Sequence, residues 1–180
     1  LSSVATPLKN PAVDRLFTRL REAGGQVIIP RAGAVRALLN ILRRRGRVGL
    51  LLDQNTLVSE GGLFVDFFGL PATVSPAGAA LACRTGARIV FGFCLPRADG
   101  RYDLAVPPPL EPPSPDRASG ESQVRELTER IIRCYEEQIR RHPECWLWMY
   151  KRWKHIRPGD DPRRYLFYST PIAKENPYAS

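Results

Sequence analysis

Several features that would assign a function at once are scarce or missing in this sequence. It has two histidines and four cysteines, and the cysteines form no C-x-x-C pair, which argues against a zinc site. Phosphate-binding loops, dinucleotide-binding glycine motifs and the Ser-His-Asp order of a hydrolase are also missing. The sequence therefore predicts neither a metal ion nor a cofactor. Cys83 and Cys94 lie in apolar runs, so we expect buried side chains in a reducing compartment.

Long apolar runs are missing as well. No stretch of roughly 18 apolar residues is present, so we expect no transmembrane helix in this sequence. Residues 1–6 lack the basic and apolar segments of a signal peptide. The sequence begins with Leu1 rather than methionine. We therefore interpret it as a stretch from the middle of a longer protein.

Acidic residues are fewer than basic ones. Lysine and arginine total 27 against 18 aspartates and glutamates, which gives a net charge of +9 and a pI of about 9.9. Arginine supplies most of the positive charge, and its planar guanidinium suits phosphate and carboxylate partners. Nucleic acid, an anionic membrane and an acidic protein are all open as partners on composition alone.

Helical and extended patterns alternate along most of the chain. Periodicity predicts helices over residues 11–23, 33–45, 76–84 and 119–141. Apolar runs predict strands over 26–29, 47–52, 87–95 and 102–106, with loops over 54–73 and 107–115. This order predicts an α/β fold with a mostly parallel central sheet, flanking helices and one antiparallel hairpin, at Ala98-Asp99-Gly100. We assign residues 1–156 to one domain and 157–180 to a polar tail.

The segment after the predicted strand 47–52 is the leading candidate for a site. Ligands usually bind at strand ends of an open α/β sheet, so Asp53 is a candidate site carboxylate. The alternative is a carboxylate that stabilises a turn. The phenylalanines that follow, Phe64, Phe67 and Phe68, are either core side chains or one wall of a tunnel for an acyl chain.

Basic residues form two further candidate features. Arg31 and Arg36 flank the start of the second predicted helix, where a helix N-terminus and guanidinium groups together suit an anion. A solvated basic face is the alternative. We expect the run from Arg43 to Arg47 to be exposed and to face phospholipid head groups or an acidic carrier protein.

Neither histidine is an obvious catalytic base. His142 ends the long predicted helix, where we expect a capping role. His155 and Asp160 have the spacing H-x-x-x-x-D, but the surrounding sequence is basic and broken by proline. No apolar strand is predicted to carry them to a pocket, so we interpret this match as coincidental.

Three sequence blocks resemble a known family when they are taken together. They are Pro7-Leu8-Lys9-Asn10-Pro11, then Leu52-Asp53-Gln54 with Gly62 to Gly69, then His142-Pro143-Glu144-Cys145-Trp146-Leu147-Trp148 running into Lys151-Arg152-Trp153-Lys154. In order and spacing they resemble the bacterial lipid A biosynthesis acyltransferases, the late lauroyl/myristoyl transferases of the lysophospholipid acyltransferase superfamily. The third block is the most specific, with Cys145 where the family usually has glutamine. The resemblance covers about Val4 to about Arg157.

The resemblance implies an acyltransferase-like fold and an enzyme of lipopolysaccharide biosynthesis. Such enzymes move a fatty acyl group from acyl carrier protein to a hydroxyl of a lipid A precursor, at the cytoplasmic face of the bacterial inner membrane. We expect Asp53 to support catalysis without being the base. The candidate substrate-binding residues are Lys9, Asn10, Arg31, Arg36, Gly62, Phe64, Phe67 and Phe68.

Two departures from the family pattern limit this expectation. The family's catalytic histidine, within H-x-x-x-x-[DE], lies upstream of the Pro-Leu-x-Asn-Pro block and is not in this sequence. Thr6 stands where the family usually has arginine, so Lys9 or Arg36 is expected to supply the positive charge. We expect these 180 residues alone to transfer no acyl group.

Two alternatives remain open on the sequence. The first is an acyltransferase for another glycolipid, such as a phosphatidylinositol mannoside, with a coenzyme A thioester as donor. The second is a non-catalytic module that binds lipid or nucleic acid through its basic surface. We do not expect nucleic acid as a partner, because the phenylalanines lie among glycines and one acid rather than among arginines.

Overall fold

The computed structural model describes residues 1–5, 7–31, 33–113 and 120–172. The chain divides into two compact units, Leu1–Leu51 and Leu52–Ser180. Some sequence predictions fall outside the described residues. These are the departure at Thr6, the end of the loop predicted over 107–115, the first residue of the helix predicted over 119–141, and residues 173–180 of the predicted tail.

The first unit contains a three-stranded parallel sheet and two helices. Its elements are β1 (Ser2–Ala5), α1 (Pro11–Ala23), β2 (Val27–Pro30), α2 (Ala34–Arg43) and β3 (Val48–Gly49). The strands lie in the order β2-β1-β3. Ser2 in β1 pairs with Val27 on one side and Val48 on the other. The sequence pattern does not predict β1, because this short strand with two serines gives a weak apolar signal. The predicted parallel pairing is present.

Helix α1 begins where the sequence predicts. The Asn10 side chain accepts hydrogen bonds from the backbone N–H groups of Ala12 (2.9 Å) and Val13 (3.4 Å). A cap of this kind contributes about 1 kcal/mol to helix stability. Asp14 Oδ1 accepts a further bond from the Leu8 N–H (2.9 Å), which fixes the chain before the helix.

The strand predicted over residues 47–52 is wrong in length and in burial. β3 contains only Val48 and Gly49, and both are half-buried. Leu51 is 89% exposed. The physical reason is that β3 pairs with the first residues of β1, and no strand among the described residues pairs with the rest of the apolar run. A short apolar run indicates hydrophobicity and does not identify a pairing partner.

The described residues of the second unit form two hairpins, two α-helices and a pair of short parallel strands. Its elements are β4 (Leu63–Phe67), β5 (Leu70–Val74), α3 (Ala77–Thr85), β6 (Phe93–Pro96), β7 (Tyr102–Ala105), α4 (Glu121–Arg141), β8 (His155–Ile156) and β9 (Thr170–Pro171). The predictions of α3, α4 and the β6–β7 hairpin are confirmed to within a few residues. The apolar run predicted as a strand over 87–95 enters β6 only at Phe93.

The loop predicted before α3 is wrong, because much of it forms a hairpin. β4 and β5 are antiparallel with Phe67 opposite Leu70, so Phe68 and Gly69 form a two-residue turn. Their φ angles are 52° and 80°, and positive φ at both positions is typical of a type I′ turn. The Phe68 N–H donates to Glu136 Oε1 on α4 (2.9 Å). Because such turns are usually Asn-Gly, Phe-Gly gives no turn signal in the sequence.

Helix α4 carries the core of the second unit. One apolar cluster joins it to the β4–β5 hairpin and a second joins it to α3. The buried members of the first are Val65, Phe67, Ala72, Val74, Ile132 and Ile139. Those of the second are Ala79, Ala82, Cys83, Phe91, Leu127 and Ile131. Burial of each large aliphatic or aromatic side chain contributes about 1.5–3 kcal/mol, so α4 fixes the position of both neighbours.

The protein has mixed α/β structure, as predicted, and its described residues form two antiparallel hairpins rather than one. Cys83 is buried as predicted, whereas Cys94 is exposed and that prediction is wrong. Side chains alternate between the two faces of a strand, and Cys94 lies on the exposed face of β6. In the described part of the chain, no helix is both long and apolar enough to cross a bilayer.

Candidate functional site

The segment that contains Asp53 is bonded to residues 150–152. The Asn55 backbone N–H donates to the Tyr150 hydroxyl (2.8 Å), and Asn55 Nδ2 donates to the Lys151 carbonyl (2.9 Å). In return, Arg152 Nη1 donates to Asn55 Oδ1 (2.8 Å), across 97 positions of sequence. These bonds join the second and third sequence blocks into one structure, which we call the Asp53–Arg152 network.

Arg152 is a buried cation in this network. Its side chain is almost fully enclosed, at 2% exposure. Nη1 also donates to the Thr73 carbonyl (2.9 Å), and the guanidinium carbon lies 5.3 Å from the centre of the Phe67 ring. Burial lowers the pKa of Arg152, and nearby Tyr150 and Asp53 act in the opposite direction. A charge this far from water is tolerated only with compensating partners.

Asp53 has an unpaired carboxylate oxygen in the same region. Oδ1 is buried and accepts no hydrogen bond from any described residue. The Asp53 charge also acts on Tyr135, whose pKa is raised first by burial and then by Asp53. A buried acceptor without a donor costs about 1–3 kcal/mol, and more when it is charged. Oδ1 is therefore available to a donor group, and both the site role and the turn-stabilising role of Asp53 stay predictions.

The three candidate phenylalanines do not share one surface. Phe67 is 1% exposed and packs against Trp146 and Trp153, with ring centres 5.9 Å and 5.5 Å away. Phe68 contacts Phe67 edge to face at 4.8 Å between ring centres. Phe64 lies on the opposite face of β4, because side chains alternate along a strand. Phe67 and Phe68 are brought together, and Phe64 is separate from them.

The backbone around Gly62 leaves no space for a side chain. A β-carbon there would collide with the carbonyl oxygen of Thr56, and its N–H donates to the Leu57 carbonyl (2.8 Å). The backbone of residues 56–62 therefore folds onto itself just before β4. This close approach positions the start of β4, and a role of Gly62 in substrate binding stays a prediction.

An open cavity of about 260 Å³ lies beside β4. Its lining residues are Val58, Gly62, Leu63, Phe64, Arg125 and Arg157. Arg125 Nη1 donates to the Phe64 carbonyl (3.1 Å), which links α4 to β4. Arg157 donates through Nε and Nη2 to Asp160 Oδ1, both at 3.0 Å. The cavity thus combines apolar side chains with two guanidinium groups from different parts of the unit.

The structure gives Asp160 partners other than His155. Arg157 occupies Oδ1, and the Tyr165 hydroxyl donates to Oδ2 (2.5 Å). The Tyr165 hydrogen bond lowers the pKa of Asp160, burial opposes it, and Arg157 acts in the same direction as Tyr165. Burial and the bond to Asp160 raise the pKa of Tyr165 to about 12. Asp160 therefore holds an arginine in place instead of orienting a histidine.

The two histidines have ordinary structural surroundings. His155 lies in β8 opposite Thr170, and burial lowers its pKa, with the Lys154 charge acting in the same direction. His142 is the C-cap residue of α4, as predicted. Its Nδ1 lies 3.4 Å from Glu144 Oε1.

The other candidate substrate-binding residues belong to the first unit. Lys9 and Asn10 follow β1, and Arg31 follows β2. Because these strands are parallel, the three residues lie at the edge of the sheet where ligands usually bind. Asn10 Oδ1 already caps α1, and Arg36 lies in the first turn of α2 after the N-cap Gly33. Their roles in binding stay predictions.

Comparison with known proteins identifies the family. The model of the bacterial lipid A biosynthesis acyltransferase family matches residues 1–155. The chain belongs to this family. Membership of a family of enzymes argues against the non-catalytic module that the sequence left open.

Curated relatives of this acyltransferase family differ in their acceptors. The chain is 32% identical over 167 residues to the phosphatidylinositol mannoside acyltransferase of Mycolicibacterium smegmatis, covering 91% of the chain and 51% of the relative. It is 25% identical over 162 residues to the lipid A biosynthesis acyltransferase of Haemophilus influenzae, covering 89% and 48%. A phosphatidylinositol mannoside acyltransferase of Mycobacterium tuberculosis is 28% identical over 155 residues, covering 84% and 46%. The chain spans about half the length of these relatives.

Sequence reasoning missed members of the Asp53–Arg152 network, Asn55 and Arg152 among them, and it also missed Tyr135, on which the Asp53 charge acts. Asn55, Tyr135 and Arg152 were not among the candidate site residues. Arg152 lies in the block that carries most of the family resemblance, so that block was the available signal. Tyr135 has helical periodicity that indicates a core residue, and only the structure shows that the Asp53 charge acts on it.

Proposed function

We propose that this chain forms part of an enzyme that transfers a fatty acyl group from a thioester to a hydroxyl of a glycolipid. Family membership supports the reaction class. The observation that carries the assignment of a site is the buried, unpaired Oδ1 of Asp53, whose charge also acts on the buried Arg152. A general base needs a group that orients it, and a fixed carboxylate oxygen with no other donor suits that role.

In the proposed mechanism, Asp53 supports the base and does not remove the proton itself. A histidine of the family's H-x-x-x-x-[DE] motif, which is not in these 180 residues, takes the proton from the acceptor hydroxyl. The hydroxyl oxygen then attacks the thioester carbonyl, and the thiolate leaves with a proton from the histidine. Asp53 accepts a hydrogen bond from the imidazole and stabilises its charged form. Positive groups such as Lys9, Arg31 and Arg36 stabilise anionic parts of the substrates.

The test is a carboxylate-to-amide exchange in the full enzyme that carries this chain. We expect Asp53→Asn to lower kcat by about 10²-fold or more, with a much smaller change in KM. The reason is that general acid–base catalysis by a positioned group accelerates a reaction by about 10²-fold or more. Asp103→Asn is the matched control, since Asp103 is an exposed carboxylate on β7. A normal kcat with a lowered melting temperature in Asp53→Asn would make Asp53 a structural residue.

The acceptor is a glycolipid of one of two classes. The sequence blocks and the family favour a lipid A precursor acylated from acyl carrier protein. The relative that is 32% identical favours a phosphatidylinositol mannoside acceptor. Mass spectrometry of lipids from a deletion strain separates the two, because loss of one acyl chain from lipid A supports the first and unchanged lipid A contradicts it. Assays with carrier-protein and coenzyme A thioesters then identify the donor.

We propose the cytoplasmic face of the bacterial inner membrane as the place of action. The supporting observation is the run from Arg43 to Arg47, whose arginines are exposed in the first unit. Each basic residue near an anionic membrane surface contributes about 1 kcal/mol of attraction. Recovery of the full enzyme in the membrane fraction at low salt tests this location, and recovery only in the soluble fraction contradicts it.

A further inference from the structure

We propose that the cavity lined by Arg125 and Arg157 binds the phosphate group of an organic phosphate, with the adjoining apolar part of the ligand against Phe64. The cavity lies in the second unit and is separate from the Asp53–Arg152 network in its lining residues. Binding of a phosphate group does not depend on the proposed function. The choice of the two candidate ligands, a thioester donor and a glycolipid acceptor, rests on it.

Hydrogen bonds to Asp160 hold the Arg157 guanidinium in position, where it can also bind a phosphate group. Its Nε and Nη2 both bond to one oxygen of Asp160, and Tyr165 occupies the other oxygen. The Asp160 side chain is 10% exposed and the Arg157 side chain is 49% exposed, so the guanidinium is the more accessible partner of the pair. The hydrogen bond to Asp160 raises the pKa of Arg157, and the charge of Asp66 also raises it, with a smaller effect than that of Asp160. Fixed guanidinium groups lose less entropy on binding an anion than free ones do.

Arg125 supplies a second guanidinium from a different element. Its Nη1 donates to the Phe64 carbonyl, and no carboxylate among the described residues lies within salt-bridge distance of it. A neutral carbonyl leaves the positive charge of Arg125 unbalanced. Two arginines that line one cavity, one from α4 and one from the segment after β8, favour a group with several anionic oxygens, such as phosphate.

The apolar side and the size of the cavity restrict the ligand further. Val58, Leu63 and Phe64 form the uncharged lining, so the group next to the phosphate is apolar or weakly polar. The volume of about 260 Å³ is just below the roughly 300–1,000 Å³ of sites for drug-sized ligands. It suits a head group or a short linker better than a long acyl chain. Phe64 is therefore placed beside a charged end of a substrate instead of in a wall along its acyl chain.

Two substrates of an acyl transfer carry such a phosphate. A carrier-bound or coenzyme A thioester has one on its pantetheine arm, next to a branched apolar group. A phosphorylated glycolipid acceptor has one in its head group. The same chemistry would be recognised in both, so the experiment uses a separate probe for each source.

Binding is measured by calorimetry on the 180-residue chain with 4′-phosphopantetheine, and with pantetheine as the ligand that lacks the phosphate. Flotation with phosphatidylcholine vesicles, with and without phosphatidylinositol, tests the lipid source. We expect Arg125→Gln and Arg157→Gln each to weaken binding of the phosphate-bearing probe about tenfold, as loss of one charge-assisted contact does. Arg133→Gln is the control, because it removes the same charge from an exposed position on α4.

If the two glutamine variants lose binding of 4′-phosphopantetheine, the cavity is assigned to the donor. If they lose binding to phosphatidylinositol vesicles, it is assigned to the acceptor. The proposal is overturned if 4′-phosphopantetheine binds no better than pantetheine and if phosphatidylinositol does not increase flotation. An equal loss in Arg133→Gln overturns it as well. Arg157→Lys keeps the charge without the planar fork, so a smaller loss than in Arg157→Gln is expected even if the glutamine variants fold poorly. Because binding is measured without turnover, a failed acyl-transfer assay leaves this result unaffected.

Discussion

Arg152 and Asp53 owe their properties to their neighbours more than to their own sequence context. Arg152 is enclosed by a side chain from residue 55, a carbonyl from residue 73 and the ring of Phe67. None of these positions is close to it in sequence. The position of Asp53 at the end of an apolar run indicated a site. Its unpaired oxygen and the burial of Arg152 could not be predicted from sequence patterns, because both depend on long-range packing.

The Asp53–Arg152 network should contribute measurably to stability. Arg152→Met keeps a long side chain but leaves Asn55 Oδ1 and the Thr73 carbonyl without their donor. We expect the free energy of unfolding to fall by about 3 kcal/mol, because each bond to a charged donor is worth about 1.5–3 kcal/mol. Urea denaturation followed by tryptophan fluorescence measures this. Lys154→Met, at an exposed position in the same block, should change it by less than about 0.5 kcal/mol. Equal effects would contradict the role of the network.

At the scale of elements, helices were predictable and strands less so. α1 and α4 carry periodic apolar residues over several turns, and α1 also has the Asn10 cap. The strands β4 and β5 were not predicted, because the Phe-Gly turn between them is not a usual hairpin turn sequence. The strand β3 was predicted too long, because an apolar run does not show which strand pairs with it. Periodicity also does not fix burial: α1 has an apolar face, yet none of its residues is buried.

The turn between β4 and β5 provides a test of the hairpin. Gly69 has a φ of 80°, which costs a residue with a β-carbon about 1 kcal/mol or more. We therefore expect Gly69→Ala to lower the free energy of unfolding by about 1–2 kcal/mol, with a smaller loss for Gly69→Asn. Gly92→Ala is the control, since its φ is not in the left-handed region and its β-carbon would make an ordinary contact with Leu104. No difference between the two alanine variants would contradict the type I′ turn.

At the scale of the whole molecule, the candidate residues are distributed over the two compact units. Lys9, Asn10, Arg31 and Arg36 belong to the first, and Asp53 and the cavity arginines belong to the second. The sequence blocks predicted the family, and the family model that matches residues 1–155 confirms it. The acceptor could not be predicted, because the blocks are shared by relatives named for different glycolipids.

The 180 residues by themselves should not transfer acyl groups, because they contain no histidine placed as a base. His142 caps α4, and Asp160, the potential partner of His155, is occupied by Arg157 and Tyr165. We expect no acylated glycolipid above background when the purified chain is incubated with either thioester donor and analysed by mass spectrometry. His155→Gln serves as the comparison. Product that forms with the unaltered chain and disappears in His155→Gln would show that His155 acts as the base, and that Asp53 supports no histidine from elsewhere.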